Sequence, residues 1–263
     1  RDAFSGVLLG KKPIANWESH LRGFRSGPPE IGRVMLAKDD RVYVSLGHTE
    51  PVSVLDAATG KQIAILAGTG GARELLLSSG VLYVLADDMS AEAHDERKEW
   101  IKRTWPKLEI WYRFPRTPIR MYGKQRIVAI NAASDKTLWQ RQFNEPGEIM
   151  PATMAADKGK VCLQTISHTV CLSATDGKDA WRSPRPVARK RLGWSTPTLV
   201  MQDGVVLTID RTARKTERTD PAMKGSKWII SSGGGEIVQK AQMIAFSADT
   251  GKRIWTAPYF ENY

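Results

Sequence analysis

The sequence of 263 residues has little cysteine and no long apolar run. Because no stretch of 18 consecutive apolar residues occurs, we predict no membrane-spanning helix. The two cysteines are too few for a scaffold that depends on disulfides. Helical periodicity is absent except at residues 92–103, so a helical bundle is excluded.

The sequence also lacks the common catalytic and metal-binding motifs. Its four histidines share no spacing, and neither C-x-x-C nor H-x-x-x-H occurs, which argues against a zinc site. No G-x-S-x-G nucleophile motif is present. The glycine-rich residues 68–71 are not followed by the Lys-Ser/Thr of a phosphate-binding loop. Catalytic residues therefore stay unassigned from the sequence, and no metal site is expected.

What the chain does contain is an eleven-residue pattern that recurs. The copies are AFSADTGKRIW at 245–255, AINAASDKTLW at 129–139, CLSATDGKDAW at 171–181 and VLDAATGKQIA at 54–64, with a cut-off copy at 2–6. An apolar strand ends, an Asp, Asn or Ser bonds back to the backbone, and Gly or Asp135 takes the positive φ of a turn. A second strand follows, so each copy predicts a β-hairpin.

The spacing of these hairpins predicts the fold. Successive turns are separated by 75, 42 and 74 residues, which fits one period near 42 with two insertions. A second turn-and-strand signal precedes each hairpin, so each period contains four strands. We predict an all-β propeller of four-stranded antiparallel blades ending near residues 64, 139, 181 and 255. Residues 1–263 form a single propeller segment, with insertions at 89–125 and 211–240.

These motifs resemble the tryptophan-docking repeat of quinoprotein-type propellers, the pyrroloquinoline-quinone (PQQ) repeat of bacteria. The resemblance implies that Trp139, Trp181 and Trp255 pack between neighbouring blades. Ala64 and Gly10 replace the tryptophan in the other copies, so those joints should be looser or held otherwise. Since such rings commonly have eight blades, about four blades and a partial one would be half a ring. We expect a fragment of a longer chain that starts mid-repeat.

The resemblance leaves two functions open. Some members oxidise alcohols or sugars with PQQ and usually Ca²⁺, whereas others are non-catalytic scaffolds that have lost the cofactor. The sequence lacks the adjacent cysteine pair of many alcohol-oxidising members and shows no evident calcium ligands. We therefore expect a periplasmic or cell-envelope binding module without a cofactor, whose partner is a protein or the remaining blades. The alternative is part of a PQQ-dependent dehydrogenase that uses PQQ and Ca²⁺. The side chains that begin the innermost strands would line the central channel: Arg33, Arg73, Glu74, Ala152 and Thr196.

The two cysteines fall on the second and third strands of one predicted blade. Cys162 and Cys171 would share a sheet face, opposite or diagonal to each other. A cross-strand disulfide would form in an oxidising compartment, and two buried free thiols are the alternative.

Positive charge is concentrated in loops and insertions. Residues 97–126 and 182–227 together carry +15, so the rest of the chain carries −4. These segments suggest a surface for an anionic polymer or a nucleic acid, formed by Lys107, Arg113, Arg116, Arg120, Arg189, Lys190 and Arg191. Alternatively, their aromatic residues pack on the propeller and their cations simply face water. Both insertions follow the second strand of a blade, so both should emerge on one face.

Overall fold

The computed structural model describes residue 11 and residues 33–47, 49–88, 123–144, 148–150, 152–165, 167–185, 198–211 and 240–260. These residues form sixteen strands in four sheets, each an antiparallel four-stranded sheet whose strands follow chain order. The all-β propeller fold predicted from the repeat is confirmed. The helix predicted at 92–103 lies outside the described residues.

Each sheet is one blade. Blade 1 contains β1 (Met35–Lys38), β2 (Arg41–Ser45), β3 (Val52–Asp56) and β4 (Gln62–Ile65). Blade 2 contains β5 (Ala72–Ser78), β6 (Val81–Asp87), β7 (Gln125–Asn131) and β8 (Thr137–Gln142). Blade 3 contains β9 (Ala155–Asp157), β10 (Lys160–Gln164), β11 (His168–Ser173) and β12 (Asp179–Pro184). Blade 4 contains β13 (Thr198–Gln202), β14 (Val205–Arg211), β15 (Lys240–Ser247) and β16 (Arg253–Phe260).

The predicted hairpin turns form for the expected reasons. In blade 1 the Asp56 carboxylate accepts a hydrogen bond from the Thr59 backbone N–H at 2.7 Å. In blade 2 the Asn131 side chain accepts bonds from the two residues after Ala132, each at 3.0 Å. Asp135 has φ 58° where the other three hairpins have glycine, as predicted from the repeat. The fourth strands contain residues 64, 139, 181 and 255, so the blade boundaries are also confirmed.

Three apolar cores hold the arc together, one between each pair of neighbouring sheets. The two middle sheets carry apolar side chains on both faces, so each can pack against a neighbour on either side. In β6, for example, Leu82 and Val84 face blade 1, whereas Tyr83 and Leu85 face blade 3. The blade 3–blade 4 core contains Trp181, Phe246 and both cysteines.

Tryptophans close two of the three joints in the same way. The indole N–H of Trp139 donates to the Ala174 carbonyl of blade 3 at 2.7 Å. Trp181 donates to the equivalent Ala248 carbonyl of blade 4, also at 2.7 Å. Both rings are buried, with 8% and 9% of their surface exposed.

The joint between blades 1 and 2 has Ala64 where the others have tryptophan, and different donors replace the indole. The acceptor is again the equivalent carbonyl, that of Ala132, which receives bonds from the Arg41 guanidinium and the Tyr43 hydroxyl. Arg41 also pairs with Asp135 of the blade 2 turn at 2.6 Å. Arg41 and Tyr43 therefore do at this joint what a tryptophan indole does at the other two.

The two cysteines face each other directly. Cys162 pairs with Cys171 in the register of β10 and β11, and a disulfide joins them in the structure. Both residues are fully buried on the face that packs against blade 4. The bond therefore ties the second and third strands of blade 3 beneath Trp181.

We expect Gly177→Ala to destabilise the protein more than Gly60→Ala by about 1–3 kcal/mol. Both glycines have a positive φ, 70° and 68°, so the backbone strain of the new methyl is the same. A Cβ at Gly177 would lie 2.6 Å from the Trp139 ring, whereas nothing lies within 4 Å at Gly60. Urea denaturation of both variants measures the difference. Equal losses would show that Trp139 does not need the glycine.

Candidate functional site at the upper edge

One end of every sheet collects the buried polar residues, and we call it the upper edge. It is the end where the first and third strands of each blade begin and the second and fourth end. Of the fourteen buried polar or charged residues in the described part of the chain, all but Thr208 lie there. Buried polar groups need partners, so this edge contains a network that the apolar cores lack.

Two buried arginine–aspartate pairs belong to this network. Arg73 at the start of β5 pairs with Asp87 at the end of β6, with Nε and Oδ2 2.7 Å apart. Arg185, which follows β12, pairs with Asp210 of β14 at 2.5 Å and so links blades 3 and 4. All four side chains are at most 8% exposed, so each charge depends on its partner.

Glu74 lies where three blades meet. The backbone carbonyl of Arg33 accepts the Leu75 N–H at 2.7 Å, which places Arg33 beside β5. The Glu74 carboxylate accepts the Met154 N–H at 3.3 Å, and the Arg33 guanidinium donates to the Ala152 carbonyl at 2.9 Å. Burial raises the pKa of Glu74 from 4.5 to about 7, although Arg33 and the backbone amides of 152–154 oppose the shift.

Two glutamines complete the links between blades. Gln125 at the start of β7 makes two bonds with the Ile149 backbone, at 3.0 Å and 2.6 Å. Gln164 at the end of β10 donates to the Thr198 carbonyl of blade 4 at 3.0 Å. The side-chain amides thus bond to backbone groups of the next blade or of the segment that leads to it.

The structure brings together three of the residues that we expected at the central channel: Arg33, Glu74 and Ala152. Arg33 is exposed, forms an isolated bridge with Glu74 and donates to the Ala152 carbonyl. Glu74 and the adjacent Arg73 are buried, and Arg73 pairs with Asp87 instead. Thr196 lies outside the described residues. The predicted anion-binding residues also lie outside them: Lys107, Arg113, Arg116, Arg120, Arg189, Lys190 and Arg191. Their roles stay predictions.

Five members of the network were not predicted from the sequence: Asp87, Gln125, Gln164, Arg185 and Asp210. A signal existed for two of them. β6 reads VLYVLAD and β14 reads VVLTIDR, so each has an aspartate near the end of an apolar strand. The partner of Asp210 could not be found in this way, because Arg185 belongs to a different blade.

The described residues on either side of three segments, 89–122, 186–197 and 212–239, lie at the upper edge. The first joins β6 to β7, the second joins β12 to β13, and the third joins β14 to β15. They contain 16 Lys and Arg against 8 Asp and Glu, so they carry +8 of the formal net charge of +11. That the two insertions emerge on one face stays a prediction, because both lie almost entirely outside the described residues.

The described residues do not fit a calcium–quinone site. Such a site needs several oxygen ligands that converge on one cation. Asp87 and Asp210 each face an arginine instead, and the Glu74 carboxylate is bonded to backbone N–H groups. In the described ranges no three His, Cys, Asp or Glu side chains come together in a metal-binding arrangement.

Comparison with known proteins identifies the repeat. The family profile described as outer membrane protein assembly factor BamB matches residues 123–259, which is more than half of the chain. The chain belongs to this family of PQQ-type repeat propellers. No curated relative matches the sequence.

Similar solved structures include BamB itself and quinoprotein enzymes. BamB from Moraxella catarrhalis is 12% identical, with a TM-score of 0.42, and the match covers 86% of this chain and 63% of that one. A quinohemoprotein alcohol dehydrogenase from Comamonas testosteroni is 15% identical, with a TM-score of 0.49, covering 88% and 36%. This chain thus spans about a third of the dehydrogenase and under two thirds of BamB. At these identities and TM-scores, neither structure says what this BamB-family chain does.

Among the residues that the structure describes, no helix is long and apolar enough to span a bilayer.

Proposed function

We propose that this chain is a non-catalytic binding module of the cell envelope and that its upper edge contacts a protein partner. The family profile is that of an outer membrane protein assembly factor, which favours a scaffold in that compartment. The observation that carries the proposal is the state of the upper-edge carboxylates. Asp87, Asp210 and Glu74 bond to groups of the propeller itself, which favours a scaffold over a cofactor site at this edge.

The opposite end of the sheets supports the choice of the upper edge. This lower edge consists of the turns that join first to second and third to fourth strands. Two lysines there pair across the joint of blades 3 and 4: Lys160 with Asp249 at 2.7 Å and Lys158 with Asp203 at 3.4 Å. The described strand ends that bracket the segments carrying +8 all lie at the upper edge. This charge supports a partner at the upper edge that is selected by its electrostatics.

That charge also supports a second candidate, an anionic polymer as the partner. Binding of a polyanion to 16 cations would release counterions, so its affinity would fall steeply as salt rises. A protein partner would show a weaker dependence on salt, because apolar contacts contribute as well. Titration with heparin and with the isolated protein partner at low and physiological salt separates the two.

We expect a photo-crosslinking amino acid at Asn144 or Ser167 to give partner adducts in living cells. Both positions are exposed at the upper edge. Thr59 and Thr175, exposed in lower-edge turns, are the matched controls and should give few adducts. Mass spectrometry identifies the partner. Adducts of equal yield at both edges, or at neither, would contradict the proposal.

A second measurement addresses the dehydrogenase alternative. The purified protein is mixed with PQQ and Ca²⁺, and dye-linked oxidation of an alcohol is followed. We expect no turnover, whereas stoichiometric quinone binding with turnover would favour the enzyme over the scaffold.

A further inference from the structure

One position of the repeat differs at each joint. It is the second residue after Ala64, Trp139 or Trp181, which occupy equivalent places near the fourth strand. Leu66, Arg141 and Ser183 occupy it in blades 1, 2 and 3. Leu66 is buried with 1% exposed and fills its joint. The other two joints show what this position contacts.

At the joint of blades 2 and 3, Arg141 spans the groove between the two outer strands. Its guanidinium donates to the Gly177 carbonyl at 2.9 Å and pairs with Asp179 at 2.7 Å. It also lies over the Phe143 ring, with 5.1 Å from Cζ to the ring centroid. The protein therefore supplies both an apolar surface and a carboxylate to fill this groove.

At the joint of blades 3 and 4 the equivalent groove is open. Ser183 takes the place of Arg141 and still donates to the equivalent carbonyl, that of Gly251. Its side chain is too short to span the groove, and a cavity of about 330 Å³ remains. The cavity is lined by Ser183, Pro184, Ile244, Phe246, Gly251 and Arg253.

The lining combines two apolar side chains, Ile244 and Phe246, with the cation of Arg253. Ile244 and Phe246 are 5% and 3% exposed. Arg253 stands two residues before Trp255, where blade 3 has Asp179 two residues before Trp181. Among the ion pairs of the described residues, Arg253 has none.

We propose that the groove between β12 and β16 binds a protein segment that presents an apolar side chain next to a carboxylate. The inference rests on the proposed binding function and names the chemistry of the partner segment that this groove would contact. The apolar side chain would cover Ile244 and Phe246, and the carboxylate would pair with Arg253 as Asp179 pairs with Arg141. The volume is at the low end of ligand pockets, about 300–1,000 Å³, which suits one or two side chains.

The test uses a fluorescein-labelled peptide with one Leu-Glu pair in a Gly-Ser background, and fluorescence anisotropy as the readout. The control peptide carries Leu-Gln instead. Binding of the Leu-Glu peptide to the parent protein should be at least about tenfold tighter than that of the control. Loss of the preference at high salt is expected, because Arg253 is exposed.

A double variant, Ser183→Arg with Arg253→Asp, copies the Arg141–Asp179 arrangement into the open groove. It should weaken peptide binding about tenfold or more, with a melting temperature at least as high as that of the parent. The reciprocal variant, Arg141→Ser with Asp179→Arg, opens the groove between blades 2 and 3. It should raise the number of bound peptides from one to two per chain.

Equal affinity for both peptides, or unchanged binding by the first double variant, would overturn the inference. Crosslinking at Asn144 and Ser167 separates this failure from that of the proposed function. If the upper-edge adducts persist while the peptide does not bind, the groove is not a docking site and the binding module stands. If the peptide binds without upper-edge adducts, the groove is a docking site and the proposed contact at the upper edge is rejected.

Discussion

Trp181→Ala should lower the free energy of unfolding by about 3–5 kcal/mol, the usual range for truncating a buried large aromatic. The ring is 9% exposed and packs in the core that holds Ile244, Phe246 and the disulfide. The substitution leaves a cavity between blades 3 and 4 and removes the bond to the Ala248 carbonyl. Urea denaturation followed by tryptophan fluorescence and by far-ultraviolet circular dichroism measures the loss.

The matched control is Trp255→Ala. Trp255 occupies the same place in the repeat, but 44% of its surface is exposed. We expect this variant to lose about 0.5 kcal/mol or less, as for most exposed substitutions. Similar losses for the two variants would mean that burial at the joint does not determine the effect of the tryptophan.

Stability should fall as the pH rises from about 4.5 to about 7, and Glu74→Gln should remove part of that fall. The pKa of Glu74 is raised from 4.5 to about 7 in the folded protein because burial disfavours the carboxylate. Between these values the unfolded chain releases a proton that the folded chain keeps. The free energy of unfolding therefore falls as the pH rises. The full effect is about 3 kcal/mol.

The measurement is the free energy of unfolding of both proteins between pH 4 and pH 8. The parent and Glu74→Gln should differ little at pH 4, and the variant should be the more stable by up to about 3 kcal/mol above pH 7. Glu50→Gln, at an exposed carboxylate, controls for the loss of one negative charge. Parallel curves for parent and Glu74→Gln would show that Glu74 is not buried as a neutral acid.

The three joints show that one carbonyl position accepts different donors. Ala132, Ala174 and Ala248 are equivalent residues, yet the first receives arginine and tyrosine and the others receive tryptophan. A buried carbonyl without a partner is costly, so each joint must supply some donor. The prediction that the Ala64 joint would be held otherwise follows from the sequence, but the identity of Arg41 and Tyr43 does not.

The sequence by itself determined the blades. A turn that requires a positive φ, an apolar strand before it and a tryptophan after it are local features, and they recur with a period near 42 residues. Strand order, the turn at Asp135 and the shared sheet face of Cys162 and Cys171 all follow from this repeat. Local chemistry was sufficient because each blade is a chain of consecutive hairpins.

The tertiary structure decided which residues meet between blades. Arg185 and Asp210 are 25 residues apart, and Glu74 and Met154 are 80 apart, so no local pattern connects them. The same holds for the groove at Ser183 and Arg253, which exists only because two outer strands of different blades lie side by side. Equal positions of the repeat thus acquire different roles from their neighbours: Trp181 is buried and Trp255 exposed because burial depends on what packs against each sheet face.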